Sequence, residues 1–380
     1  MRLLFVIDNL ASGGAQRQLV SLALGLHERG HSIEFFIYYP KSRHFADQLE
    51  ELKIPIHEFS KVRRFSIKIV AALRRQISKG AYDGILSFLR TPGVYAELAR
   101  LGMDRPKLIV SERGPPSPNT TAPGRFLARQ LHRLADHVTV NSHHERLRIE
   151  GESDWLRGRI STIYNGVDLN VFHPRQNEIP RDKGDPIRLL AIGTVNPHKN
   201  MMGLIRALAL VREKRGDLPL LVRWAGKRSQ NPEGERTFQQ TDNLISELDL
   251  KSNWEWLGER KDIPSLLRQH DAVVHPSTRE GLPNAICEGL ASGRPILAGG
   301  ILDHPRLVQQ GVRGLLFDPR DPEDIAKTLL DFCELQPDVR KQMGKAARAF
   351  AETELSLPHI AEIYEQRFVR LGCPRNSRDA

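Results

Sequence analysis

Cysteine is scarce in this 380-residue chain, which has only Cys287, Cys333 and Cys373. So few and so scattered, they exclude a disulfide framework or a cysteine-based zinc site, and a reducing cytoplasm is the expected location. Long hydrophobic runs are missing as well. No stretch approaches the ~18 apolar residues of a membrane-crossing helix. The short apolar run after Met1-Arg2 has no small-residue cleavage site, so it reads as a first buried strand rather than a signal peptide. Neither Gly-x-Gly-x-x-Gly nor Gly-x-x-x-x-Gly-Lys-Ser/Thr occurs, which demotes a dinucleotide dehydrogenase or a P-loop NTPase. Aromatic residues make up 6% of the chain and hardly interleave with the basic runs. That argues against a nucleic-acid partner.

What is present is an ordinary globular balance, 40% hydrophobic and 27% charged. The length suggests two domains. The net charge of +10 is uneven: residues 1–180 carry 26 Lys+Arg against 18 Asp+Glu, or +8, and the remainder 30 against 28, or +2. A basic half attracts polyanions or anionic lipid, unless it is simply an arginine-rich solvated surface.

Apolar strand-like runs alternate with helical patterns throughout, the signature of parallel doubly wound sheets. In the first half they fall at 3–7, 33–38, 85–88, 108–110, 137–140 and 161–163. In the second they fall at 187–192, 220–224, 253–257, 272–275, 296–298 and 314–317. The predicted architecture is α/β, two Rossmann-like doubly wound domains at 1–175 and 187–355 facing across a cleft. A polar, proline-containing linker at 176–186 joins them. A helix at 359–371 is expected to pack back on the first domain.

Two segments have the composition of a ligand site. The first strand runs into Asp8-Asn-Leu-Ala-Ser-Gly13-Gly14-Ala-Gln-Arg17 and a helical pattern at 18–29. Paired glycines there let backbone approach a ligand, and a helix start offers N–H groups to an anion. The more specific segment is His275-Pro-Ser277-Thr-Arg-Glu280-Gly281-Leu282-Pro-Asn284-Ala-Ile-Cys-Glu288-Gly-Leu-Ala-Ser-Gly-Arg-Pro295. Pro283 suits the first position of a helix ending near Gly293, with Asn284 and Glu288 on one face and Glu280 just ahead. Two carboxylates flanking a helix start can grip vicinal hydroxyls while exposed amides receive phosphate. Alternatively, they are an acidic helix start and a solvent-facing glutamate.

The spacing Glu280…Glu288 within Glu-Gly-Leu-Pro-Asn…Glu-Gly-Leu-Ala-Ser-Gly-Arg-Pro-Ile resembles the signature of the family-four retaining glycosyltransferases, which have the two-Rossmann-domain GT-B fold. The resemblance covers nearly the whole chain. Gly13-Gly14-Ala15 resembles the family's amino-terminal glycine loop, Asp136-His-Val-Thr-Val-Asn-Ser142 its strand ending in serine, and Tyr164-Asn-Gly-Val-Asp168 its Asn-Gly-Val-Asp turn. Ala191-Ile-Gly193-Thr194-Val-Asn-Pro-His-Lys199-Asn resembles its phosphate-binding stretch, and Trp256-Leu-Gly258-Glu-Arg260 its nucleotide-base loop.

The resemblance implies that Glu288 binds the nucleotide ribose and Glu280 the transferred sugar. Lys199 would neutralise the departing diphosphate with help from Gly14 and the amides of Gly281 and Leu282. Arg260 would meet the base, with Gly13, Gly193, Thr194, Gly258, Ser277 and Asn284 completing the donor site. No metal or cofactor is implied, in keeping with the absence of any Asp-x-Asp. The donor is a nucleotide sugar, with a UDP-sugar favoured over a GDP-sugar. Two positions depart from the family pattern. Thr194 stands where the family has an arginine, and strand 108–110 leads into Ser111-Glu112-Arg113-Gly114 rather than to the usual histidine. Glu112 would orient the acceptor and Arg113 the sugar or phosphate; otherwise they are a salt-bridged pair lining a loop.

Two basic runs lie in the amino-terminal half. Segment 60–79 holds seven basic and no acidic residues, with Phe65, Ile69, Ala72 and Leu73 at helical spacing, and 125–133 repeats arginine every four residues. They suggest a peripheral anionic membrane surface receiving a lipid-linked glycan acceptor; otherwise the helix simply turns its apolar side to the core. Competing functions are a nucleotide-sugar 2-epimerase of the same fold and a non-catalytic sugar-nucleotide-binding scaffold subunit.

Overall fold

A computed structural model describes residues 1–60, 65–114, 122–176, 184–229 and 231–374. The chain divides into two compact units, Met1–Gly166 with Leu357–Ala380, and Val167–Ser356.

The first unit is built on a parallel sheet of seven strands: β1 (Arg2–Ile7), β2 (Ser32–Ile37), β3 (Ile56–Glu58), β4 (Gly84–Phe88), β5 (Lys107–Glu112), β6 (His137–Val140) and β7 (Ile160–Thr162). Their order is β3-β2-β1-β4-β5-β6-β7. The order reverses at β1, the arrangement that opens a ligand crevice at the carboxyl ends of the strands. Successive residues of β1 serve opposite faces, as a strand's twofold period requires. Leu3, Phe5 and Ile7 join helices Gly14–Glu28 and Leu357–Arg370 in one core, while Leu4 and Val6 join helices Ile67–Gly80 and Arg90–Arg100 in the other. Covered on both faces, the strands read as continuous apolar runs.

Helix Leu357–Arg370 contributes Ile360, Ala361, Tyr364 and Phe368 to the first core. A Cβ on Gly84 would lie 2.5 Å from the Phe368 ring, so a glycine there gives the helix its close approach. The boundary falls at Gly166, earlier than the expected 175. Val167 donates to the Leu355 carbonyl at 2.7 Å and bridges to Ser356, and Arg348 bonds the Phe172 carbonyl, so this stretch packs with the second unit. Of the expected linker 176–186, residues 177–183 lie outside the described residues.

The second unit has six parallel strands, β8 (Ile187–Ile192), β9 (Leu220–Ala225), β10 (Trp254–Gly258), β11 (Ala272–His275), β12 (Ile296–Gly299) and β13 (Gly314–Phe317), in the order β10-β9-β8-β11-β12-β13. One face packs on helices Met201–Arg215, Pro232–Glu247 and Pro322–Glu334. Helix Asn284–Ala291 approaches β11 closely because Gly289 has no side chain, and a Cβ there would meet Val273 and Ile296 at 2.8 Å.

The basic runs divide between core and solvent. In helix Ile67–Gly80, Ile69, Leu73 and Ile77 are buried, whereas Lys68, Arg75 and Lys79 are exposed. Phe65 is not in the core: it is exposed and stacks on the Tyr95 ring. In helix Ala122–Leu131 the arginine stripe is interrupted, since Arg129 is buried against Glu152 at 2.5 Å. Phe126 and Leu127 are instead 67% and 63% exposed. Residues 61–64 and the Arg125 side chain lie outside the description. No helix among the described residues is long and apolar enough to cross a membrane.

Candidate active site

At the carboxyl edge of the second sheet, two loops meet. β8 ends at Ile192, and the chain turns through Gly193–Asn196 into the short helix Pro197–Lys199. Gly193 is held by its N–H to the Ala225 carbonyl and by the Trp224 indole on its own carbonyl, at 2.9 and 2.8 Å. Neighbouring Gly226 is required there, because a Cβ would collide with the Gly193 carbonyl oxygen at 1.9 Å. Asn200, left-handed at φ 56°, turns the chain into helix Met201–Arg215 and ties this loop to the next one by a 3.1 Å bond to the Pro276 carbonyl. The second loop follows β11, and its Thr278 N–H donates to the His198 carbonyl at 2.9 Å.

These ties bring Lys199 and Glu280, 81 residues apart, into a direct ion pair. The Lys199 stem lies over Gly193, within 3.1–3.4 Å of where a Cβ would be. His275, the last residue of β11, places Nε2 3.2 Å from the same Glu280 oxygen. Because a carboxylate only accepts, this Nε2 carries the proton. Burial pushes the Glu280 carboxyl up, but the His275 N–H and the Lys199 ammonium outweigh it and hold the acid well below its usual range. Burial and the Lys199 charge push His275 down, leaving it a neutral donor at neutral pH. His304 packs edge-to-face on the His275 ring at 5.5 Å and is pushed down to about 4, chiefly by burial. The Ser277 hydroxyl is buried without a hydrogen-bond partner among the described residues. The arrangement offers a cation, a fixed carboxylate and an unoccupied hydroxyl beside the start of helix Asn284–Ala291, where Asn284 is half-buried and Glu288 buried. Gly281 and Leu282 lie between Glu280 and that helix, and Thr194 is half-buried in the first loop.

The sequence-predicted base contact is Arg260, beyond β10. Arg260 follows Gly258, which has φ 66°, and lies exposed, forking onto Asp262 at 2.8 and 2.6 Å. Gly13, Gly14, Glu112 and Arg113 belong to the first unit. Gly14 is the first residue of its helix and Gly13 the cap, so the helix starts at the glycines rather than at residue 18. Glu112 and Arg113 do not pair with each other. The Glu112 carboxylate accepts from His132 at 3.1 Å and more weakly from Arg90 at 3.4–3.5 Å. Arg113 donates to Asn165 at 2.8 Å and to the Tyr364 hydroxyl at 2.7 Å, its guanidinium 3.8 Å above the Phe88 ring. Glu112 ends β5 and Arg113 is the first residue beyond it, and each finds its partners on different elements.

Comparison with known proteins places the chain in a family. The model described as Glycosyl transferases group 1 matches residues 173–350, and Glycosyltransferase Family 4 matches 12–171. The chain belongs to the group 1 glycosyltransferases. Its two parallel-sheet units have the GT-B fold, and the Anabaena protein HepE, solved in complex with UDP, superposes with a TM-score of 0.83 at 21% identity over 97% of this chain and 100% of that one. A D-inositol 3-phosphate glycosyltransferase of Corynebacterium kroppenstedtii is 28% identical over 66% of this chain and 59% of its own length. One from Pseudarthrobacter chlorophenolicus is 25% identical over 90% of this chain and 86% of its own. The chain thus spans little more than half the length of the first of these relatives.

In this glycosyltransferase, sequence reasoning gave no role to His275 or His304. The signal for His275 was available, an imidazole at a strand end five residues before a carboxylate. No comparable signal marks the first unit's buried cluster. There, His132 Nδ1 meets Glu97 at 2.6 Å and its Nε2 meets Glu112, with all three side chains almost fully enclosed. Burial pushes His132 down, but the two carboxylates outweigh it and raise it to about 9. Burial raises Glu97, whereas His132 and Arg90 outweigh burial at Glu112 and hold it far below the usual range.

Proposed function

We propose that this chain transfers a hexose from a nucleoside diphosphate sugar, with a UDP-sugar favoured, to an acceptor hydroxyl with retention of configuration. The observation carrying this reading is the Lys199–Glu280–His275 cluster at the carboxyl edge of the second sheet. The complexes of HepE with UDP and with UDP-glucose support a uridine donor.

Departure of the diphosphate leaves an oxocarbenium-like sugar, so the dominant catalytic task is to stabilise charge on the leaving oxygens. Lys199 supplies a cation, and the amides of Gly281 and Leu282 with the start of helix Asn284–Ala291 supply oriented dipoles. No metal is required for that. Glu280, ionised and fixed from two sides, accepts from sugar hydroxyls, and Glu288 binds the ribose. The acceptor hydroxyl passes its proton to the departing phosphate, so no covalent nucleophile is assigned.

The first unit receives the acceptor, which is a glycan or lipid-linked glycan of cell-surface polysaccharide assembly. Exposed Phe126 and Leu127, together with Phe65 and Ile67 beside Lys68, favour peripheral contact with an anionic membrane. Sedimentation with anionic liposomes at low salt tests this. Retention of pelleting by a Phe126→Ser/Leu127→Ser double variant would argue against those side chains.

The donor reading is tested by thermal shifts with UDP, GDP and ADP without added metal, on the wild type and Glu288→Ala. A ligand at ~100 times its Kd stabilises by about 2.7 kcal/mol. UDP is expected to stabilise the wild type and to lose that effect in the variant. Stabilisation by none of the three would contradict the donor reading.

A further inference from the structure

Arg113 is the residue whose surroundings the donor chemistry does not explain. It follows the last residue of β5, at the edge where parallel sheets bind ligands. Its guanidinium is fixed by four neutral features: Asn165 on one terminal nitrogen, the Tyr364 hydroxyl on the other, the Phe88 ring beneath, and walls that enclose Nε without giving it a partner. No carboxylate among the described residues pairs with it, and the segment that follows, 115–121, contains no Asp or Glu.

The contrast with its neighbours is sharp. Arg90 has Glu112, Arg129 has Glu152, and Arg148 has Glu145. The adjacent carboxylate, Glu112, is held by His132 and Arg90, and those two cations balance Glu112 and Glu97. That group closes on itself and leaves the next residue's charge unmatched. A partly buried cation without a counter-ion is unfavourable unless another requirement maintains it. A guanidinium makes five N–H bonds, and two are used here, so donors remain for a planar or tetrahedral anion.

We propose that Arg113 binds an anionic group, a phosphoryl oxygen in particular, carried by the acceptor that the first unit receives. The inference rests on the reading that the first unit is the acceptor side. Asn165 and Tyr364 pre-orient the fork, and the Phe88 face supports its charge. The acceptor is therefore a phosphorylated alcohol or a phosphoryl-linked lipid rather than a neutral sugar.

The test uses the full chain with saturating UDP, so that the donor's phosphate positions are filled. Melting temperature is followed against glycerol phosphate, with glycerol and matched chloride as controls, in wild type, Arg113→Met and Arg113→Lys. Wild type should respond to glycerol phosphate and not to glycerol. In Arg113→Met the apparent affinity should fall about tenfold or more, the size of one charge-assisted bond, while UDP affinity holds and the anion-free melting temperature does not fall. Arg113→Lys should recover part of the response. Arg113-dependent pelleting with phosphatidate vesicles would place the phosphoryl group on a lipid, and a response confined to glycerol phosphate would place it on a soluble acceptor. The proposal is overturned if Arg113→Met responds like wild type, if wild type does not respond, or if the variant instead loses UDP affinity, which would assign the cation to the donor. If UDP fails to bind wild type, the donor reading fails, and the glycerol phosphate comparison can still be read.

Discussion

The two units bury histidine beside glutamate in opposite protonation states. In the first, His132 lies between Glu97 and Glu112 and is raised to about 9. In the second, His275 contacts Glu280 alone, with Lys199 on the same carboxylate, and is pushed down, as is its neighbour His304. Burial acts in the same direction on all three. A second carboxylate reverses the outcome in one place, and an ammonium reinforces it in the other. The first cluster is charge-balanced within itself and suits a rigid support. The second keeps a lysine whose ammonium has further donors to offer a phosphate.

The largest effect should come from removing that lysine. Lys199→Ala should lower transfer by about 100- to 1,000-fold, the loss typical of one group stabilising a leaving oxyanion. Steady-state kinetics on the nucleotide sugar check it. His132→Phe should instead act on stability, by about 3–5 kcal/mol, because it leaves two buried carboxylates without their shared partner; denaturant unfolding measures that.

The same contrast has a pH signature. His132 has a folded pKa of about 9 against 6.5 unfolded, so its contribution is complete below about pH 6.5 and is lost as pH rises towards 9. The loss should approach ~3 kcal/mol. Its absence from the unfolding profile between pH 6.5 and 9 would mean that His132 is neutral like His275. Gly289→Ala should cost about 1–3 kcal/mol by crowding Val273 and Ile296, read from urea midpoints. Smallest of all, Arg260→Ala should leave the urea midpoint nearly unchanged, since an exposed pair such as Arg260–Asp262 adds little to stability; a clear drop in that midpoint would contradict this.

Much of the fold was legible because parallel strands covered on both faces are unbroken apolar runs, and β6, β8, β11 and β13 fall at their expected residues. β3 was not, since Ile56–Glu58 is a three-residue edge strand with one polar and one acidic member. Gly166 was hard to see as a boundary because the next residue, Val167, pairs with Ser356, 189 positions along the chain. At the site, Glu280 and Lys199 were legible as members of motifs, but their ion pair across 81 residues is a product of the loops between them. The separate partners of Glu112 and Arg113 depend on helices Arg90–Arg100 and Leu357–Arg370, which no local pattern connects to β5.

The central claim, that the Lys199–Glu280–His275 cluster is a nucleotide-sugar site, is tested most directly by calorimetric titration of UDP into wild type and Lys199→Ala without divalent metal. The account predicts binding to the wild type and at least about tenfold weaker binding to the variant. Equal affinity in the two proteins, or no binding to either, would contradict it.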